Sequence, residues 1–178
     1  MIWLLLACPT PVEEDSAVAI EDAPRLLRRL SLDLRGVLPS IEELDRVEED
    51  PSSVWTLRDA YLDDPLFEDR MRVLLADRWL TEVDDYLFEY EEYDSPVPEY
   101  VFERSVGQEP LRLMARIAAE DRDWREIVTA DTTMANELIG PVFPVAWNAG
   151  DEGWLETVYT DGRPAAGVLS TNGLWWRY

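Results

Sequence analysis

The chain has 178 residues, 47% of them hydrophobic, with 38 acidic side chains against 16 basic ones and no histidine. A chain of this length buries roughly 70% of the surface its unfolded form exposes, so a single core holds without staples. The net charge of −22 repels phosphate backbones and anionic lipid headgroups, which excludes nucleic acid and favours cationic proteins or divalent cations as partners.

Missing residue types narrow the chemistry further. Without histidine there is no Ser-His-Asp or Cys-His catalysis, no His-ligated zinc and no C-x-x-C-H haem attachment within the chain. Cys8 is the only cysteine, so neither an intrachain disulfide nor a cysteine-ligated metal can form. No cofactor or metal site is expected, and no catalytic residue is assigned. Every base is arginine, and the eight tryptophans speak for a packed core rather than disorder.

Residues 1–8 read Met-Ile-Trp-Leu-Leu-Leu-Ala-Cys, an apolar run closing on Leu-Leu-Ala-Cys8. Residues 9–22 mix prolines with acids and have no helical periodicity, which reads as a flexible acidic tether. The rest, 23–178, reads as one mainly helical domain. Asp22 caps a first helix with Pro24 in its first turn, Leu27, Leu30 and Leu34 inward, and Gly36 as its stop. Ser40 and Glu43 form a capping box for a second helix with Ile41, Leu44 and Val47 inward. A third follows Ser52 or Ser53 and buries Val54, Leu57, Tyr61 and Leu62. Asp64-Pro65 opens a fourth, whose apolar positions Phe67, Met71, Leu74, Leu75 and Trp79 form a stripe wide enough to want cover on more than one side.

Residues 82–107 read as an acidic, tyrosine-rich insert. Nine acids and no base fall between Glu82 and Glu103, interleaved with Tyr86, Phe88, Tyr90, Tyr93, Tyr100 and Phe102. Pro96 and Pro98 forbid a continuous helix there. A helix then starts at Glu109-Pro110, with Leu111, Met114, Ile117 and Ala118 buried. Asp123 and Glu126 have capping-box spacing for a short helix, and a helical turn is expected at 134–139. Beyond Gly140-Pro141 the pattern fades into an irregular segment. There 154–159 is a candidate strand, Asp161-Gly162 a turn, and 166–169 an apolar stretch that tucks inward. The fold class is therefore mainly α: a compact bundle of about six short helices with an irregular C-terminal segment and room for one short hairpin.

Two stretches carry resemblances. Leu-Leu-Ala-Cys8 resembles the lipobox of bacterial lipoproteins, in which the signal is cut before the cysteine and its thiol carries diacylglycerol. The alternative is an apolar N-terminal segment with a free cysteine. The lipobox implies a lipid anchor on Cys8, a membrane contact through it, and an extracytoplasmic place on the envelope, at the outer membrane. Separately, Leu27-Arg28-Arg29-Leu30-Ser31-Leu32-Asp33-Leu34-Arg35-Gly36, then Leu38-Pro39-Ser40 and Glu42-Glu43-Leu44, resembles the opening of a bacterial domain family of unknown function. Its members occur in secreted proteins of planctomycetes and myxobacteria, beside c-type cytochrome domains. The likeness continues through Asp64-Pro65 to Trp79-Leu80, returns from Glu109-Pro110-Leu111 through Thr129 to Asn136, and appears again at Gly162-Arg163-Pro164 with Ala166 to Ser170. Proteins of that kind continue into a second half that holds cysteine pairs and any cytochrome module.

Each constellation has two readings. Arg28, Arg29 and Arg35 are either an anion site or helix-joining ion pairs, and adjacent Arg28 and Arg29 cannot share one helix face. The acid block is a solvated loop, a docking surface for a cationic protein, or a calcium site. Trp147, Trp154, Trp175 and Trp176 are core or interface aromatics, or a sugar-stacking platform. Asn136 receives no chemistry. The expected function is a non-catalytic interaction or scaffold module of an envelope lipoprotein. The rivals are the front part of an envelope enzyme or redox assembly, and a calcium- or sugar-binding surface protein.

Overall fold

A computed structural model describes residues 22–82, 86 and 97–178; Cys8, the tether before Asp22 and most of the acidic block lie outside them. Among the described residues are seven α-helices, one 3₁₀ helix and one antiparallel pair of strands. The mainly α class with one short two-stranded element is therefore observed.

The first three helices form an N-terminal bundle. Helix α1 (Ala23–Leu34) is capped by the Asp22 carboxylate, which accepts from the Arg25 N–H, and it stops at Gly36 with φ +74°. Helix α2 (Ile41–Glu49) begins with the predicted reciprocal box: Ser40 Oγ accepts from the Glu43 N–H, and Glu43 accepts from the Ser40 N–H. Helix α3 (Ser53–Leu62) closes the bundle around Leu27, Val47, Val54, Leu57 and Tyr61, all buried. Two expected core residues lie outside it. Ile41 is 73% exposed and Leu62 40% exposed. On α2, Ile41 is about 120° around the wheel from Val47, too far to share its face.

Helix α4 (Pro65–Trp79) starts on an Asp64 cap and ends at Leu80, which takes a left-handed conformation. None of its residues is fully buried. Leu75, Ala76 and Trp79 pack on the central core, whereas Leu66, Val73 and Leu74 on other faces stay near 40% exposed. The apolar stripe is thus as wide as its sequence suggests, and only part of it is covered.

The central element is α5 (Glu99–Ala119), 21 residues or about 32 Å long. This corrects the sequence reading, which placed 99–107 in the insert and began the helix at Glu109-Pro110. Pro98 is the N-cap of this helix, but Pro110 sits inside it. The stripe Phe102, Val106, Leu113 and Ile117 runs through it at helical spacing and is wholly buried, and that burial carries the helix past the proline.

A short helix α6 (Glu126–Thr129) follows, without the expected Asp123–Glu126 box. Asp123 instead accepts from Arg125, through both its backbone N–H and its guanidinium, and Glu126 accepts from Arg122 at 2.6 Å. Strand β1 (Thr132–Ala135) occupies the start of the expected 134–139 helical turn. It pairs antiparallel with β2 (Leu155–Val158), Thr132 opposite Val158 and Ala135 opposite Leu155. The helix-like part shrinks to one turn after β1, closed by Gly140 N–H to Asn136 C=O at 2.8 Å. A 3₁₀ helix (Gly167–Ser170) and α7 (Asn172–Arg177) complete the described chain. One cluster of α5, α6, β1 and the 3₁₀ helix holds Leu111, Met114, Ile127, Met134 and Val168; a second holds Phe102, Val106, Ile139 and Phe143 with Trp176 against it.

Candidate functional site

Glu109 lies on the buried stripe of α5, one step after Val106 and one before Leu113, and is only 1% exposed. An ionised side chain there must be met by donors, and it is. Its Oε1 accepts from the Thr133 hydroxyl at 2.8 Å and from the Tyr159 hydroxyl. Its Oε2 accepts from the backbone N–H groups of Asn172 at 2.9 Å and Gly173 at 3.3 Å, the first two residues of α7. One carboxylate therefore joins α5, β1, the segment after β2 and α7.

The placement depends on neighbouring residue types. Pro110 has no N–H to offer the carbonyl of Val106, four residues back. Gly173 occupies that opening: a Cβ on it would come within 2.2 Å of the Val106 oxygen and 2.8 Å of Pro110 Cδ. Only glycine lets α7 approach so closely, and this approach brings its first N–H groups onto Glu109. Burial pushes the Glu109 carboxyl above its ordinary range; the Tyr159 and Thr133 hydroxyls and the two amides pull it down without overcoming that push. Burial, then the charge of Glu109, hold the Tyr159 hydroxyl far above the usual tyrosine range. The carboxylate has four donors and almost no exposure, so it presents no open position to a substrate.

Arg163 sits on the outer side of this cluster, its guanidinium carbon 3.7 Å from the Tyr159 ring centroid. Asp161 grips it, with Nε 3.0 Å from Oδ1 and Nη2 2.7 Å from Oδ2. Nη1 donates to Ser170 C=O at 2.8 Å and to Asn172 Oδ1 at 3.1 Å. The predicted Asp161-Gly162 turn thus aims a clamp. Two surface pockets meet over Arg163, Pro164 and Ser170. One, about 340 Å³, is walled by Ala166, Leu169 and Trp175. The other, about 260 Å³, is walled by Asp131, Val158 and Tyr159.

The residues singled out from sequence fall in different places. Arg35 joins all four N-terminal helices: it donates to Ser31 at 2.8 Å and Glu43 at 3.1 Å, pairs with Asp64 at 3.5 Å, and stacks on Tyr61 at 3.7 Å. Burial, then the charge of Glu43, push the Tyr61 hydroxyl up to about 12. Arg29 makes only an exposed pair with Asp33, and Arg28 points to solvent, so the three arginines do not form one anion pocket. Trp147, Trp154 and Trp176 pack on the core, whereas Trp175 is 72% exposed. The four form no common platform.

Of the acid block, Glu82 pairs with Arg72 at 2.5 Å and accepts from Gln108 at 2.7 Å; Glu103 accepts from the Tyr86 N–H. Among the described residues no group of three acidic or cysteine side chains is placed to hold a metal ion. Asn136 gains a role as a turn former, its Oδ1 accepting from the N–H groups of Leu138 and Ile139 and its Nδ2 donating to Ser105.

Sequence reasoning missed Glu109. The available signal was an acid at a buried position of a helical stripe, hidden because the following proline read as a helix start. No protein-family model, curated protein or solved structure matches the chain. Among the described residues no helix is long and apolar enough to cross a membrane.

Proposed function

We propose that the chain is a non-catalytic interaction or scaffold module of the bacterial cell envelope, held at the outer membrane by a lipid on Cys8 and spaced from it by the tether 9–22. The observation that carries the non-catalytic part is the state of Glu109. It is the best-buried ionisable side chain in the central core, the natural place to look for a general acid or base. Its acceptor positions are taken by donors of its own fold, and it joins four segments rather than facing a cavity.

The family resemblance belongs to the same proposal. Two of its stretches meet in space: Glu109 and Thr133 from the one running from Glu109 to Asn136, and Arg163 and Ser170 from the one running from Gly162 to Ser170, surround one joint. Segments that build a common joint are what a shared architecture requires. The anchor rests on the apolar run before Cys8, and the expected partner is a cationic protein, from the net charge of −22.

The anchor is tested by growing cells that express the chain with a labelled fatty acid. Label should enter the wild-type protein, stay with the membrane fraction, and vanish in Cys8→Ser. A wild-type protein without label removes the anchor. A hydrolase activity of the purified domain that disappears in Glu109→Gln, with the fold kept, overturns the non-catalytic reading.

A further inference from the structure

We propose that the paired pockets over Arg163 form one groove that docks an extended, basic segment of a partner protein, an apolar side chain lying against Trp175 and a cationic one beside Asp131. This rests on the interaction-module reading and names its surface and partner chemistry.

Trp175 is the first observation. It is 72% exposed, yet it is fixed: its indole N–H donates to Leu169 C=O at 2.6 Å, and the next residue, Trp176, is wedged edge-on against Phe143 with ring centroids 5.5 Å apart. A large aromatic face held rigid in water gives contact area at little entropic cost on binding. Leu169, 49% exposed, extends that apolar wall.

The second observation is how charge is arranged along the groove. Arg163 lies between the two lobes, but its cation is consumed by Asp161, Ser170 and Asn172. An anion would find that charge already compensated. Asp131, in the polar lobe, is exposed and has no arginine at ion-pair distance among the described residues. The free charge of the groove is thus negative, in a molecule of net charge −22, so complementarity selects a cation. The two lobes share Arg163, Pro164 and Ser170, so side chains two residues apart, on one face of an extended strand, reach both. Sugars fit less well, because the apolar lobe offers few free donors for hydroxyl groups.

The test uses calorimetry on the full chain with a positional set of acetylated, amidated hexapeptides in which arginine, glutamate, leucine and alanine are permuted. Peptides holding arginine two residues from leucine should bind, and glutamate peptides should not. Trp175→Ala should weaken binding about tenfold. Asp131→Asn should weaken it about threefold and flatten its salt dependence. If Trp175→Ala melts early, Leu169→Gln replaces it, since that side chain donates and accepts nothing. Trp55→Ala, on the N-terminal bundle, should bind as wild type. Equal binding by wild type and the groove variants overturns the groove but leaves an acidic interaction module intact. A preference for glutamate peptides, no binding by any peptide, or self-association lost in Trp175→Ala also overturns the groove. The module reading fails separately, on the fatty-acid label and hydrolase measurements.

Discussion

The buried Glu109 carboxyl is met by neutral donors alone, so its removal leaves two amides and two hydroxyls of the core without an acceptor. Glu109→Ala should cost about 3–4 kcal/mol in urea denaturation, whereas Tyr159→Phe and Thr133→Val, which each take away one donor, should cost about 1 kcal/mol. The pH dependence has a definite sign. Folding raises the Glu109 pKa, so the native state holds that proton more tightly than the unfolded chain does. Its contribution therefore grows as pH falls from the raised value toward about 4.3, and shrinks as pH rises again. Asp161 and Asp123 act oppositely. Hydrogen bonds from Arg163 and Arg125 hold them below the usual aspartate range, and what they contribute is lost only as pH falls below about 3.9. Melting temperatures of wild type measured against Glu109→Gln should diverge in favour of wild type on going from neutral pH to about 4.5. A difference that does not change with pH would show that Glu109 titrates normally.

Among the elements, α7 is the one whose seat is most exacting. Gly173→Ala puts a methyl group into the Val106 carbonyl, so α7 must move away from Glu109 as well as from Pro110. The variant should lose about 2–3 kcal/mol and, because Trp176 sits on α7, much of its near-ultraviolet dichroism. Ser40→Ala, which breaks only the α2 cap, should cost about 1 kcal/mol with that signal intact. The contrast marks what the sequence could reveal. The Ser40–Glu43 box and the Asp22 and Asp64 caps are local, so residue type and spacing specify them. The same spacing failed at Asp123 and Glu126 because the Asp123 carboxylate is taken by the backbone N–H and guanidinium of Arg125, and the Glu126 carboxylate by Arg122. Glu109 was illegible for a different reason. Its donors lie between 24 and 64 residues further along, and no local pattern announces them. Met134 and Ala135, the last two residues of β1, were read as helix because Thr132–Ala135 is too short to show alternation and its partner begins only at Leu155.

For the molecule as a whole, net charge outweighs any single ion pair. With 38 acids against 16 arginines, self-repulsion opposes folding, and salt relieves it. Exposed pairs such as Arg29–Asp33 contribute about 0–1 kcal/mol each, so screening them costs less than screening the repulsion restores. The melting temperature should therefore rise between about 0.01 and 0.15 M sodium chloride; a fall would assign the larger share to the arginine pairs. The wide reach of Glu109 also sets an order of assembly. The N-terminal bundle closes on residues of α1 to α3, all near in sequence, so its core needs nothing made after Tyr61. Helices α4 and α5 emerge next, and every donor to the α5 carboxylate is still unmade: Thr133 follows Glu109 by 24 residues, Tyr159 by 50, and Asn172 and Gly173 by 63 and 64. The nascent protein thus matures in two beats. Until β1, Tyr159 and α7 have been made, the buried face of the central helix has only part of its cover and its carboxyl lacks its donors.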